Sequence, residues 1–464
     1  MTAAPFDLHE FAASIVAATA RVAAFQEAVA GGADPGRLED PFAGSLRATS
    51  QKSVYDALIS DGSRDALALA DHVRALLAVR LRAKTAIPRS KHRATARVRV
   101  SIPGETPKEI SEVELRRKLA SYTRFGDVAL LVAAAGTLGG QEIGLAKSDR
   151  DLAAEIEARL PPPLRVAASW ATPEATLSAT ADLAAAALPG TGGAGGATYA
   201  TLLHDAFAHG AGGTLPARLG PSHIAGWMPP FALPWLDPKG GVPEARTQFA
   251  KLLPAEAPAD LGRLLARFGR AFVAGAPREG KPAPIFLRPN DVRGEILGAL
   301  LGSLPSRPAF HRRALGLGAA DARDEARKFL KSQLFFLRRA AVRAQLAAIP
   351  AGARAAQDLV AEVLAPLAAP GGSHPEVLLL ATAERAVGLP AAAESQLQAL
   401  LGAERLEAEL VDLFDEDWFR NPRVAPFFLA ALHDPEDLVF AGKSLQEAPV
   451  DPRARLLARA GELL

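Results

Sequence analysis

The stretch "ARDEARKFLKSQLFFLRRAAVRAQLAAI", Ala322 to Ile349, contains neither glycine nor proline, and its large apolar residues return every three or four positions. That spacing lines one face of an α-helix and does not match the two-residue period of a half-buried strand. From about residue 198 onward the same pattern recurs in "ADLGRLLARFGRAFVAG", "DVRGEILGALLGSL", "AAQDLVAEVLAPLA", "HPEVLLLATAERAVGLPAAAESQLQALLG" and "RLEAELVDLFDEDWF". Proline-rich loops separate these segments. Helix-pair solenoids repeat with a fixed phase, and these helix lengths hold none. The expected fold is mainly α: two helical lobes with a cleft between them and a small mixed α/β insert.

Three regions divide the chain. Residues 1–90 form an N-terminal helical region, carried by "LHEFAASIVAATARVAAFQEAVA" and "SVYDALISDGSRDALALADHVRALLAVRLRAK". Pro88 should end the second of these. Residues 91–190 form a mixed α/β region. There "ATARVRVSI" alternates basic and apolar residues as a half-exposed strand does, and Pro103-Gly104 turns the chain after it. "EISEVELRRKLASY" should return to helix, and Thr172 should cap "TPEATLSATADLAAAAL" with Pro173 in its first position. Residues 191–464 form the remaining helical region, entered through the glycine run "GTGGAGG", whose expected role is a hinge.

Composition narrows the function classes. The 464-residue chain can bury a large core. It has no cysteine, which excludes disulfides, thiolate metal sites and cysteine nucleophiles and fits a reducing compartment. The formal net charge is +2, so no overall pull toward nucleic acid or membrane is implied. The local exception is "RLRAKTAIPRSKHRATARVR", Arg80 to Arg99, read as a solvated face, with an anion or phosphate contact surface as the alternative. Asp7, His9 and Glu10 stand where a signal peptide needs basic residues, so a cytoplasmic protein is expected, and no apolar run is expected to approach the ~18 residues of a membrane span. Abundant Ala, Arg, Gly and Pro suggest a GC-rich bacterial source. "AGKS" (Ala441 to Ser444) lacks the upstream glycine of a phosphate-binding loop, since position 437 is Asp.

The candidate chemistry lies in "YATLLHDAFAHGAGG", Tyr199 to Gly213. Helical zinc sites use two histidines four residues apart because positions i and i+4 share a face. Here His204 and His209 are five apart, about 140° around a regular helix. Ala208 occupies the i+4 position and Asp205 follows His204. Convergence of His204 and His209 would need a helix break near Gly210 or a π-bulge. With His223 or Asp237 the two could then hold zinc or an iron-group ion. In "SQLFFLRRAAVRAQ", Arg339 and Arg343 share a helix face and could bind a carboxylate or phosphate. Pairing of this arginine group with the acids of "DLFDEDW" is the simpler alternative. Trp227, Met228, Phe231 and Trp235 could wall a pocket or form a packed loop. In "EDWFRNPR", Trp418 and Phe419 should anchor a turn, with Asn421-Pro422 starting the last helix.

"GGATYATLLHDAFAHG" resembles the catalytic helix of the helical gluzincin zinc peptidases of the oligoendopeptidase and thimet type, whose pattern runs from a glycine pair through Tyr to H-E-x-G-H. "KFLKSQLFFLRRAAVRAQLAA" and "FDEDWFRNPRVAPFFLAALHDPEDL" resemble the closing helices of bacterial relatives, so the likeness spans about residues 195–464. It implies a zincin-like C-terminal part. His204 then matches the first metal ligand, Asp205 the general base and Ala208 the place of the second ligand, with no evident match for a third-ligand Glu; the nearest, Glu244, lies in a loop. The implied protein is a catalytically degenerate peptidase that binds a peptide or protein partner in an inter-lobe cleft, without a cofactor. Tyr199, Arg339 and Arg343 would line that cleft, formed by the 199–213 helix, the 223–237 loop and the 329–346 helix. An active metal-dependent hydrolase with His204, His209 and His223 as altered ligands, or a helical scaffold in a larger assembly, are the alternatives.

Overall fold

The computed structural model describes residues 7–30, 37–44, 49, 51–95, 97–111, 114, 130–131, 155–156, 158–160, 172–181, 183, 218–219, 221–231, 255–256, 261–275, 283–286, 292–348, 390–433 and 452–463. They are predominantly helical, with two short antiparallel strand pairs.

Asp7 opens the first helix, α1 (Leu8–Ala30), because its carboxylate accepts the otherwise orphaned amide hydrogens of His9 at 2.9 Å and Glu10 at 3.1 Å. Helix α2 (Lys52–Asp61) stops at Gly62, whose φ of 67° lets its N–H turn back to Leu58 O at 3.3 Å. Helix α3 (Arg64–Thr95) follows, with Ser63 Oγ accepting from Ala66 N. It does not end at Pro88. Proline removes one bond of the helical ladder, to the Lys84 carbonyl, and the good helix formers on either side carry the helix through to Thr95.

The expected strand is present as β1 (Arg97–Val100), paired with β2 (Lys108–Ser111) around the turn at Gly104, φ 87°. Val98 and Ile110 face each other on the buried side. Residues 109–111, expected to begin a helix, are therefore strand: Ile110 gains more as the cross-strand partner of Val98. Thr172 caps α4 (Pro173–Ala179) through Ala175 N at 3.3 Å, with Pro173 first, as the sequence predicts.

Beyond these lie β3 (Arg218–Leu219) with β4 (Ala255–Glu256), then α5 (Pro221–Trp227), α6 (Leu261–Gly275), α7 (Ala283–Phe286) and α8 (Val292–Ser303). A 3-10 turn at Leu304–Ser306 leads into α9 (Pro308–Ala314) and the long α10 (Ala319–Ala348). Then come α11 (Pro390–Phe414), a 3-10 turn at Trp418–Arg420, α12 (Val424–His433) and α13 (Pro452–Leu463). Of the segments expected as separate helices at 374–402 and 405–419, residues 374–389 lie outside the described residues, and the rest up to Phe414 forms the single helix α11, which passes uninterrupted through Gly402.

Among the described residues four apolar clusters hold these elements, the smallest made of Ala18, Val22, Phe42 and Leu76. The largest joins α5, α6, α8, α9, α11, α12 and the Trp418–Arg420 turn around Phe231, Phe268, Phe310, Trp418 and Phe428. A second joins α4, α10, α11 and α13. A third joins α1, α2, α3 and the 156–160 segment, with Ile285 of α7 packed into it. Among the described helices, α1 is long and weakly apolar enough over Leu8–Phe25 to cross a membrane by length and composition. Its Phe11, Ala12 and Ile15 pack into the third cluster.

Helices α6 and α8 approach closely because small residues face each other. A methyl group at Gly269 would stand 2.5 Å from Leu297 O, and one at Gly298 would stand 2.8 Å from Ala266 O. Both obstacles are backbone, which cannot step aside as a flexible side chain can. Gly298→Leu should therefore lower stability by at least about 2 kcal/mol in urea unfolding. Gly461→Ala in α13, where an added methyl meets open space, should be neutral or stabilising by up to ~1 kcal/mol.

Candidate functional site

Tyr199, His204, Asp205, His209, Asp237 and Glu244 lie outside the described residues, as does the 199–213 helix expected to line a cleft. His223 is half-buried on α5, one turn before Trp227, with ring centroids 5.9 Å apart. The segment holding it is not a loop: Pro221–Trp227 is helical, and Trp227, Met228 and Phe231 point into the largest core. Trp227 meets Phe310 edge-on at 6.0 Å, and Phe231 meets Phe272 and Trp418 in the same manner. Aromatic packing of this kind outweighs solvent exposure for rings of such area. Of the two readings of this cluster, packing holds for the described residues. Among the described residues no three His, Asp or Glu side chains gather as a metal-ligand set.

The arginines of α10 divide differently from the sequence expectation. Arg338 is the buried one, donating to Leu177 O at 2.9 Å and Thr180 Oγ1 at 2.8 Å. It satisfies carbonyl and hydroxyl oxygens where α4 ends. Burial pushes its guanidinium down to about 10, which leaves it charged at neutral pH. Arg339 is half-buried one position on. Arg74 of α3 repeats the device, donating from Nε to Leu160 O at 2.8 Å. In "EDWFRNPR", Trp418 and Phe419 are buried in the turn as expected, and Asn421 Oδ1 accepts from Arg423 N at 3.1 Å. The helix they introduce, α12, is followed by α13 and so is not the last.

A polar cluster unrecognised in the sequence occupies the junction of α9, α10, α11 and α13. Glu404 and Glu407 stand three apart on α11, one face of the helix, with side-chain exposures of only 3% and 8%. Arg307 precedes α9 and reaches both carboxylates, Glu404 at 3.3 Å and Glu407 in a closer ion pair. Arg459 of α13 forms a two-pronged pair with Glu404, at 2.8 and 2.9 Å, and lies 3.6 Å from Glu407. Gln333 of α10 donates to Glu404 and accepts from Arg459 at 3.1 Å and from Ser306 Oγ at 2.7 Å. The signal was present in "QLQALLGAERLEAELV": Leu397, Leu400, Glu404, Glu407 and Val411 form one heptad-spaced row, so two acids interrupt an apolar face.

Electrostatics in this cluster are uneven. Burial raises the Glu407 carboxyl; Arg307 and Arg455 pull it down and Glu404 pushes it up, leaving it at about 7. Nearby His311 is buried in α9 between Phe310 and Phe329. Its Nε2 donates to Pro305 O at 2.6 Å, which fixes the neutral tautomer, and Nδ1 has no hydrogen-bond partner among the described residues. Burial holds its pKa below the ordinary value, against the opposing pull of the Pro305 carbonyl and Glu325. Perturbed groups of this kind occur at reactive sites and in buried structural networks alike. Here both oxygens of Glu404 and Oε2 of Glu407 face a guanidinium or amide within the bundle, so the cluster joins elements.

Comparison of the chain with protein families, with characterised proteins and with solved structures returns no match.

The two titrating groups oppose each other. Glu407, raised when folded, stabilises most below about pH 4.5, and that contribution is lost as pH rises through about 7. His311, lowered when folded, makes the protein less stable as pH falls below about 6.5. Glu407→Gln should therefore retain or exceed wild-type stability at pH 8, and its stability should fall steadily on acidification from pH 7 to 5. Glu404→Ala should instead lose about 3 kcal/mol or more at all these values, because Arg307 and Arg459 are left buried without their shared carboxylate. Urea unfolding across this pH range checks both.

Proposed function

We propose that the chain is a catalytically degenerate relative of the helical gluzincin peptidases, a cytoplasmic protein with a zincin-like C-terminal part that binds a peptide or protein partner in a cleft between two helical lobes. The observation that carries this reading is the "EDWFRNPR" turn. Its Trp418 and Phe419 are buried in the largest helical core and it leads directly into α12, and the resemblance rests most on this segment. The degeneracy rests on the donor set. At the motif positions the chain offers His204, Asp205 and Ala208, and an alanine methyl has no lone pair to give a metal. These residues do not fit a gluzincin zinc ion, and no catalytic step is assigned to one.

Arg339 and Arg343 of α10 remain the candidate contacts for an acidic group of the partner, being i and i+4 on one helix. The helical scaffold reading draws on the buried Glu404–Arg459 cluster, which stiffens the bundle.

Elemental analysis of the purified protein should find zinc, iron and manganese well below one per chain, with no change in melting temperature on chelation. Model peptides should not be cleaved. One equivalent of metal, lost in His204→Ala, would overturn this reading in favour of a hydrolase using His204, His209 and His223. A peptide array should yield acidic binders that Arg339→Glu weakens at least tenfold. An array without binders would favour the scaffold.

A further inference from the structure

Helix α13 is seated along α10 and α11 in the manner of a bound peptide. Its buried residues Leu456, Ala460 and Leu463 recur at i, i+4 and i+7, so they form one stripe. All three enter the apolar cluster that contains Leu330 of α10 and Leu401 of α11. The opposite side is open, with Ala454, Ala458, Gly461 and Glu462 exposed, so α13 covers the groove from outside. An amphipathic helix laid into an apolar groove through anchors at this spacing is a recurring mode of peptide recognition.

Polar contacts fix what else the groove accepts. Arg459 enters beside the stripe, one turn after Leu456, and grips both oxygens of Glu404 at 2.8 and 2.9 Å, with Glu407 3.6 Å away. From the bundle side, Arg307 pairs with the same two carboxylates. When both acids are ionised, the second cation of the slot therefore comes from α13. At the far end of the stripe, Arg327 Nε of α10 donates to the Leu463 carbonyl, an acceptor that the end of a helix leaves open. The groove thus selects an apolar stripe, a guanidinium beside it and a helix terminus.

We infer that the α10–α11 groove is a helix-recognition site that α13 fills in cis. Its occupant in trans is an amphipathic helix of a partner protein, bearing leucine, arginine, alanine and leucine at the spacing of Leu456, Arg459, Ala460 and Leu463. Such a helix displaces α13, because the two compete for Glu404 and for one apolar cluster. A free segment of the 12 residues of α13 holds little helix in water, so the groove supplies its order. The inference stands on these contacts and does not rest on the peptidase-like reading.

A labelled peptide of the α13 sequence, Pro452 to Leu463 with blocked ends, serves as the probe. It is titrated with the full chain at pH 8, where Glu407 is mostly ionised, and followed by fluorescence anisotropy. The wild-type chain should bind it weakly, since its groove is filled. Arg459→Ala and Leu463→Ala in the chain loosen α13 at different points and leave the groove residues of α10 and α11 intact. Each should tighten peptide binding about tenfold or more, by raising the fraction of chains with an open groove. The peptide carrying Arg459→Ala should bind these chains about tenfold more weakly or worse. Circular dichroism checks that the variants fold. Peptide binding that neither chain variant tightens, or that ignores the peptide's arginine, would overturn the inference. So would unfolding of both variants, because a groove that needs α13 to exist cannot receive another helix. Self-association of either variant, reversed by the peptide, would give the groove to a second copy of the chain and overturn the partner assignment.

Discussion

The arrangement of the C-terminal helices depends on two carboxylates that cannot be buried alone. Glu404 and Glu407 lie on the apolar face of α11, where an ionised carboxylate without a partner would cost several kcal/mol. Their presence obliges cations to arrive from elsewhere in the chain. Arg307 comes from the start of α9 and Arg459 from α13, while Gln333 of α10 donates to Glu404 and accepts from Arg459. Four elements are thereby held in one relative position. The apolar contacts of Leu456 and Ala460 with the second cluster supply attraction there, and the charge pairing supplies the register.

The α6–α8 contact achieves the same uniqueness by different means. Glycine against backbone permits an approach that larger residues would block, and the large rings Phe268 and Phe272 on the neighbouring face of α6 fill the space beside it. One junction is specified by partners that must meet, the other by atoms that must be missing. Buried arginines complete the pattern at helix ends, Arg338 at α4 and Arg74 at Leu160, each answering carbonyl groups that a helix terminus leaves open.

This division of labour bears on function. The ionisable groups most displaced from their ordinary behaviour among the described residues, Glu407 and Arg338, belong to the interior of the bundle. A chain nearly neutral overall can still keep a strongly basic stretch, as Arg80 to Arg99 is, since net charge says nothing about distribution.

Much of the local structure was legible in the residues. The α period, the Thr172–Pro173 start of α4, the β1 strand with its Pro103-Gly104 turn and the buried "EDWFRNPR" turn all follow from neighbours within a few positions, where capping, periodicity and turn chemistry operate. The continuation of α3 through Pro88, the strand at 109–111 and the helical form of Pro221–Trp227 did not follow. Each depends on what packs against the segment, and propensity worth a kcal/mol or less yields to packing. The Glu404–Glu407 cluster shows the boundary most clearly. By itself the sequence determined that two acids would interrupt an apolar helical face. Only the tertiary structure decided which distant arginines would answer them, because a buried charge is settled by the partners that reach it through space.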